Sequence, residues 1–349
     1  MAKSKVFELV SVVLGTFIGA GFVGGREVAQ YFSKYGFFVF FMFFIILILF
    51  YLFIKLCLDI GRKYSSCDNI NNIVYKKFNN IVNILILVTS IINVGSMIAG
   101  SYSIGNMFSM SMWKYLIPFL VIFGCFFVVK NRYDAMKKVN IIAVPLIIVA
   151  ILIITIVSII NSSDITIVIA DVVTTILGGI SSSVIYVFFN MFLLGVLLIQ
   201  IGHKYSPKEI QSSACISSII ISLLVLIVSL SITFSDGGVY SSDIPLLQEC
   251  ININYYFAFI FAGCQLLGVF TTIISSCFIA SNIVLVKVKS HSLAILIVLG
   301  VGVLISFFGF VNIVNYLYSF TGILSIIYFV ILFSCVSFKG SGIKLFNRK

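Results

Sequence analysis

Charge is what this 349-residue sequence has least of. Only 9% of its residues are Asp, Glu, Lys or Arg, against roughly 25% in an ordinary soluble domain. Eleven acidic residues cannot hydrate the surface of a soluble fold of this length. Proline is scarce, with four, and tryptophan occurs once. Sustained apolar–polar alternation is missing as well, which argues against a transmembrane β-barrel. The eight cysteines include no C-x-x-C pair and lie mostly in apolar runs, so they read as small apolar residues rather than a disulfide or metal framework. No H-E-x-x-H, G-x-S-x-G or His-rich helix face occurs, and an enzyme is not expected.

What fills the space instead is hydrocarbon. The chain is 61% hydrophobic with 35 phenylalanines. Its apolar runs are long enough to cross about 30 Å of bilayer, so the fold class is an all-α integral membrane protein. Ten spans are expected: residues 6–32, 37–57, 81–103, 115–129, 141–160, 177–201, 216–234, 255–286, 294–308 and 316–336. With the N-terminus inside, 19 of the 22 Lys and Arg fall in inner segments, leaving Arg26, Lys34 and Lys114 elsewhere. The outer loops carry Asp164, Asp171, Asp236, Asp243 and Glu249. That asymmetry predicts cytoplasmic N- and C-termini. It also explains the net charge of +11 without a nucleic-acid partner. The N-terminal apolar stretch lacks a clear cleavage site and is expected to remain as the first span.

Residues 15–30, GTFIGAGFVGGREVAQ, contain Gly19-x-Gly21-x-x-Gly24. A dinucleotide-binding turn needs a βαβ unit and an acid about 20 residues on. Here an apolar run follows, and the next acid after Glu27 is Asp59. Close helix packing is a second reading, since Gly15/Gly19 and Gly21/Gly25 fit G-x-x-x-G. Packing alone does not need Thr16, Arg26, Glu27 and Gln30 beside the glycines, and ionisable residues inside a span point to function. The favoured expectation is a first helix broken within the membrane, its backbone turned to a ligand.

Residues 165–177 are apolar but too short to span, and Gly178–Ser183 reads GGISSS. This predicts a second break in the sixth span, preceded by an outer half-helix. Two broken spans, each first in a set of five, imply halves of opposite topology (1–163 and 164–349) and a transporter's binding site between them. The expected solute contacts are Thr16, Gly19, Ala20, Gly21 and Gly24 from the first span, and Gly179, Ser181, Ser182, Tyr186 and Asn190 from the sixth. Tyr186 and Asn190 share a helix face; packing and interhelical bonding are equally open to them. Arg26 and Glu27 are expected as gate or coupling residues. Gly95, Ser96, Ala99 and Gly100 of the third span form a small face for packing on the first or eighth span.

The run GTFIGAGFVGGREVAQYFSKYG (15–36) resembles the first-helix signature of the YkvI family of bacterial membrane proteins, a branch of the amino acid–polyamine–organocation superfamily. VIYVFFNM (184–191), SSDIPLLQ (241–248) and GVFTTIISS (268–276) extend the likeness along the chain. The resemblance implies a LeuT-like fold of ten helices in two inverted five-helix repeats, with the first and sixth unwound, in the bacterial cytoplasmic membrane. It implies a permease for an amino acid or related small amine, with no cofactor beyond a coupling ion, sodium or proton. Thr272, Ser275 and Ser276 are similar to the hydroxyl pattern of a sodium site, opposite the carbonyls of Gly15 and Ile18. The fifth span lacks the lysine that proton-coupled relatives can carry, which tilts towards sodium, while Glu27 keeps protons open. Partners are then a small-molecule solute and the lipid bilayer. Fold does not fix function, so the rival reading is a non-transporting receptor or assembly subunit.

Overall fold

The computed structural model describes residues 2–64, 79–108, 112–161, 172–235, 239–240 and 242–342. Among these, every regular element is helical. Eight segments are long and apolar enough to cross a membrane: 33–63, 80–107, 113–130, 138–160, 175–204, 207–234, 255–288 and 310–334. These match eight of the ten expected spans. The ninth, His291–Ser306, has 16 residues and is shorter than a full crossing. The first comes in pieces.

Those pieces are α1 (Ala2–Phe17), α2 (Ala20–Val23) and α3 (Arg26–Tyr31). A 3-10 turn then leads into α4 (Val39–Tyr64), followed by α5 (Asn79–Met107), α6 (Trp113–Lys130), α7 (Arg132–Asn161), α8 (Val172–Ile201) and α9 (Pro207–Phe234). After α9 come the short α10 (Pro245–Ile253), the long α11 (Tyr255–Val288) and α12 (His291–Ser306). The turn Phe310–Asn312 (α13) runs through a π segment, Ile313–Leu317, into α14 (Tyr318–Gly342).

The break in the first span has local causes. Ile18 N–H still bonds to Leu14 O at 2.7 Å, but Gly19 N–H turns to Phe17 O at 3.0 Å instead of Gly15 O. The helical ladder stops there. A second turn follows at Gly25, whose φ of +80° is left-handed and suits glycine, which lacks the Cβ that strains this region.

Position in the bundle distinguishes the helices. Every residue from Leu9 to Gly25 is buried, so the first span is wrapped by α5, α7, α8, α9 and α11. By contrast α4 turns Phe40, Phe41, Phe44, Ile48 and Leu52 outwards, Phe44 being 60% exposed. An apolar exposed face of this kind suits lipid.

The expected break in the sixth span is corrected: α8 is continuous from Val172 to Ile201. Its GGISSS stretch stays helical because the hydroxyls turn back on their own helix. Ser181 Oγ donates to Gly178 O at 2.9 Å and Ser183 Oγ to Gly179 O at 2.8 Å, a mode open to Ser in any helix. The glycines serve packing instead. A Cβ on Gly178 would lie 3.0 Å from the Tyr35 ring, and one on Gly179 2.6 Å from the Phe38 ring. Of the expected outer half-helix, 172–177 form the first turns of α8, and 165–171 lie outside the described residues.

Candidate solute and ion site

The freed backbone of the first span finds partners on other helices. Thr272 Oγ1 of α11 donates to Ile18 O at 3.1 Å. Ala20 N–H points to the Met97 sulfur of α5 at 3.4 Å. Gly24 O accepts Leu246 N–H of α10 at 3.0 Å, and Gln265 Nε2 of α11 reaches Val23 O at 3.4 Å. Inside a membrane a broken helix persists only where such groups are re-satisfied, and here three neighbouring elements do so.

Glu27 sits over this break. It is 4% exposed, and its Oε2 has no hydrogen-bond partner. Its carboxylate lies on the Cα of Gly21, so a Cβ there would collide with Oε1. Glu27, Thr16, Gly19, Asn93, Met97, Asn190 and Thr272 are among the residues lining a cavity of about 30 Å³. That space admits a water molecule or a bare cation and is too small for an amino acid, so the site is closed around its centre.

Named contacts close the side of the break that carries Arg26. Arg26, adjacent to Glu27, points away from the cavity. Its Nη1 donates to Tyr240 O and Ser242 O, both at 3.3 Å, and its Nη2 to Asn315 Oδ1 at 3.4 Å. Gln30 Nε2 adds a bond to Asn315 O at 3.3 Å. Asn315 lies in the π segment, a distortion common at functional sites. The guanidinium thus ties the first span to the segment before α10 and to the last span.

The hydroxyl turn of α11 meets the break. Thr16 Oγ1 lies 3.3 Å from Ser275 Oγ. Thr16 Oγ1 also donates to Val12 O at 2.9 Å, and Ser275 Oγ to Thr271 O at 3.0 Å. Either hydroxyl can turn its proton to the other or to its own helix. Ser276 faces elsewhere, accepting Asn93 Nδ2 at 2.8 Å.

The sixth-span residues are spread apart. Asn190 lines the cavity, with its Nδ2 donating to Tyr186 O at 3.0 Å. Tyr186 is fully buried among the rings of Phe17, Tyr31 and Phe32, with centroids 4.8–6.3 Å away. Ser182 Oγ donates to Tyr31 O at 2.7 Å, tying the end of α3. Gly179, Ser181 and Ser182 do not line the cavity. In α5, Gly100 packs on Ala20, as expected for the small face, whereas Gly95 packs on α12 at Ile305 and the Gly302 carbonyl.

Asn93, Met97, Asn140 and Asn315 were not singled out by the sequence. Each is a polar or soft residue inside an apolar run, which is the only local signal it gives. Tyr318 adds to the network by donating to Ser96 Oγ at 2.6 Å and Asn93 Oδ1 at 3.3 Å.

No family model and no curated protein matches the chain. Solved structures do match. Two single-substitution variants of the manganese transporter of Eremococcus coleocola superpose with a TM-score of 0.59 at 12% identity, covering 91% of this chain and 76% of theirs. A third variant gives 0.57 at 13% identity with the same coverage. The chain therefore shares the fold of a membrane transporter over nearly its whole length.

Proposed function

We propose that this chain is a cation-coupled secondary transporter of an amino acid or related small amine, working by alternating access. The scaffold we infer is LeuT-like, with two inverted five-helix repeats, as the likeness to the YkvI family implies. The observation that carries the reading is the buried, broken first span with Glu27 above it. Glu27 places one carboxyl group at the cavity, and an ammonium group there would supply the counter-charge that its ionised form lacks. Arg26, tied to the outer segments, is the external latch. The contact between the break and the Thr272–Ser275 turn is the proposed seat of the coupling cation.

Counterflow in proteoliposomes tests this, with a panel of amino acids, amines and Mn²⁺, the metal named for the structural neighbours. The expected result is exchange of one amine-bearing class, driven by a sodium gradient and lost in Glu27→Gln. Exchange of Mn²⁺ alone would replace the amine reading with a metal one. A solute that raises Tm but never exchanges would make the protein a receptor.

A further inference from the structure

Asn140 of α7 is fully buried, yet neither its Oδ1 nor its Nδ2 has a hydrogen-bond partner. Buried polar groups are nearly always paired, so a carboxamide with two empty ends points to an occupant. Its position is informative. A Cβ built on Gly15 would lie 2.6 Å from the amide carbon of Asn140 and 2.8 Å from both Oδ1 and Nδ2. The amide therefore lies against the Cα of Gly15, and only glycine leaves it that space.

Gly15 is where the first span lets go. Gly19 N–H bonds to Phe17 O, so the Gly15 carbonyl loses its usual i+4 donor. One residue on, Thr16 Oγ1 and Ser275 Oγ lie 3.3 Å apart, either hydroxyl able to donate to the other. Three residues on, Ile18 O holds the Thr272 hydroxyl. The first span thus meets α7 through Asn140 at Gly15 and α11 through Thr272 and Ser275 within the next three residues.

We propose that Asn140 Oδ1 is a ligand of a sodium ion bound between the Gly15 carbonyl and the Thr272–Ser275 turn. It would close that site from the buried face of α7. The donor set is made of neutral oxygens. Neutral oxygens suit a hard monovalent cation, whereas tight divalent sites draw on carboxylates. Glu27 packs against Gly21 rather than Gly15 and lines the small cavity beside Thr16 and Thr272, so its carboxyl is a neighbour of this donor set and not a member of it. The proposal rests on the reading that a cation binds where the first span meets α11. It adds a third helix to that site.

The test is thermal unfolding of the purified full-length protein against NaCl, with choline chloride holding ionic strength constant. A cation that binds the folded state raises Tm in a saturable way. Wild type is expected to show a sodium-specific, saturable rise. Asn140→Ala and Asn140→Ser are expected to raise the half-saturating sodium concentration at least tenfold. Asn140→Asp, which keeps an oxygen at the same reach, is expected to hold it at or below the wild-type value. A merely structural asparagine would shift baseline Tm in all three and leave half-saturation alone.

Two failures are distinguishable. If wild type shows no sodium-specific rise, the cation reading of the break falls and this proposal falls with it. If wild type responds and Thr272→Val raises half-saturating sodium several-fold, but Asn140→Ala or Asn140→Ser half-saturates within twofold of wild type, only the role of Asn140 is overturned.

Discussion

The first and sixth spans carry the same local invitation to unwind, and only one accepts it. GTFIGAGFVGG and GGISSS are both glycine-rich, hydroxyl-bearing and set in apolar runs. The first breaks at Ile18–Gly19 and again at Gly24–Gly25, while the sixth runs unbroken through Gly178–Ser183. The difference lies in the partners. Ile18 O receives Thr272, Ala20 N–H meets the Met97 sulfur and Gly24 O receives Leu246 N–H. In the sixth span the hydroxyls of Ser181 and Ser183 fold back on their own helix. Without water, a backbone group freed from a helix costs several kcal/mol unless something else pairs with it. Glycine lowers the barrier to breaking; it does not supply the partner.

Substitutions can break or sharpen that contrast. The largest effect is expected from Gly21→Ala, whose Cβ strikes the Glu27 carboxylate. Transport should fall at least ~100-fold, roughly 3 kcal/mol; near-normal uptake would dissociate Glu27 from the site. Next is Glu27→Gln, which keeps the shape and removes the charge. A charge-assisted bond to an ammonium is worth about 1.5–3 kcal/mol, so solute affinity should weaken roughly tenfold to a hundredfold. An unchanged solute titration would rule out an ammonium partner.

Gly179→Ala is the matched control in the sixth span. Its Cβ meets the Phe38 ring at 2.6 Å, an overpacking that costs about 1–3 kcal/mol of stability. Tm should drop while solute affinity holds; a selective loss of affinity would return this glycine to the site. The smallest effect is expected from Thr272→Val, which deletes the bond to Ile18 O for about 1 kcal/mol. It should be read as a several-fold rise in half-saturating sodium with little change in folding, checked by the same salt titration of Tm.

Much of the fold was legible because lipid imposes a coarse rule. Apolar length and the spacing of Lys and Arg placed residues 255–286 as one long span, and α11 runs from Tyr255 to Val288. The candidate site was most legible in the first span, where Thr16 and Glu27 stand out against glycine and hydrocarbon, and Thr272 of α11 was also named in advance. Of the sixth-span residues, Asn190 reached the cavity while Gly179, Ser181 and Ser182 did not. A helix apolar on nearly all sides gives no sign of which face turns inwards. For the same reason Asn93, Met97 and Asn140 passed as isolated residues until α5 and α7 were seen against the first span.

The sequence by itself determined that this is a polytopic helical membrane protein with a glycine-weakened first span, because hydrocarbon admits few alternatives and composition alone reports them. Only the tertiary structure decided which glycine run breaks, where Glu27 and Asn140 point, and which hydroxyls face one another. Those outcomes depend on hydrogen-bond partners supplied by helices remote in the chain, and no local pattern of residues encodes a partner's position.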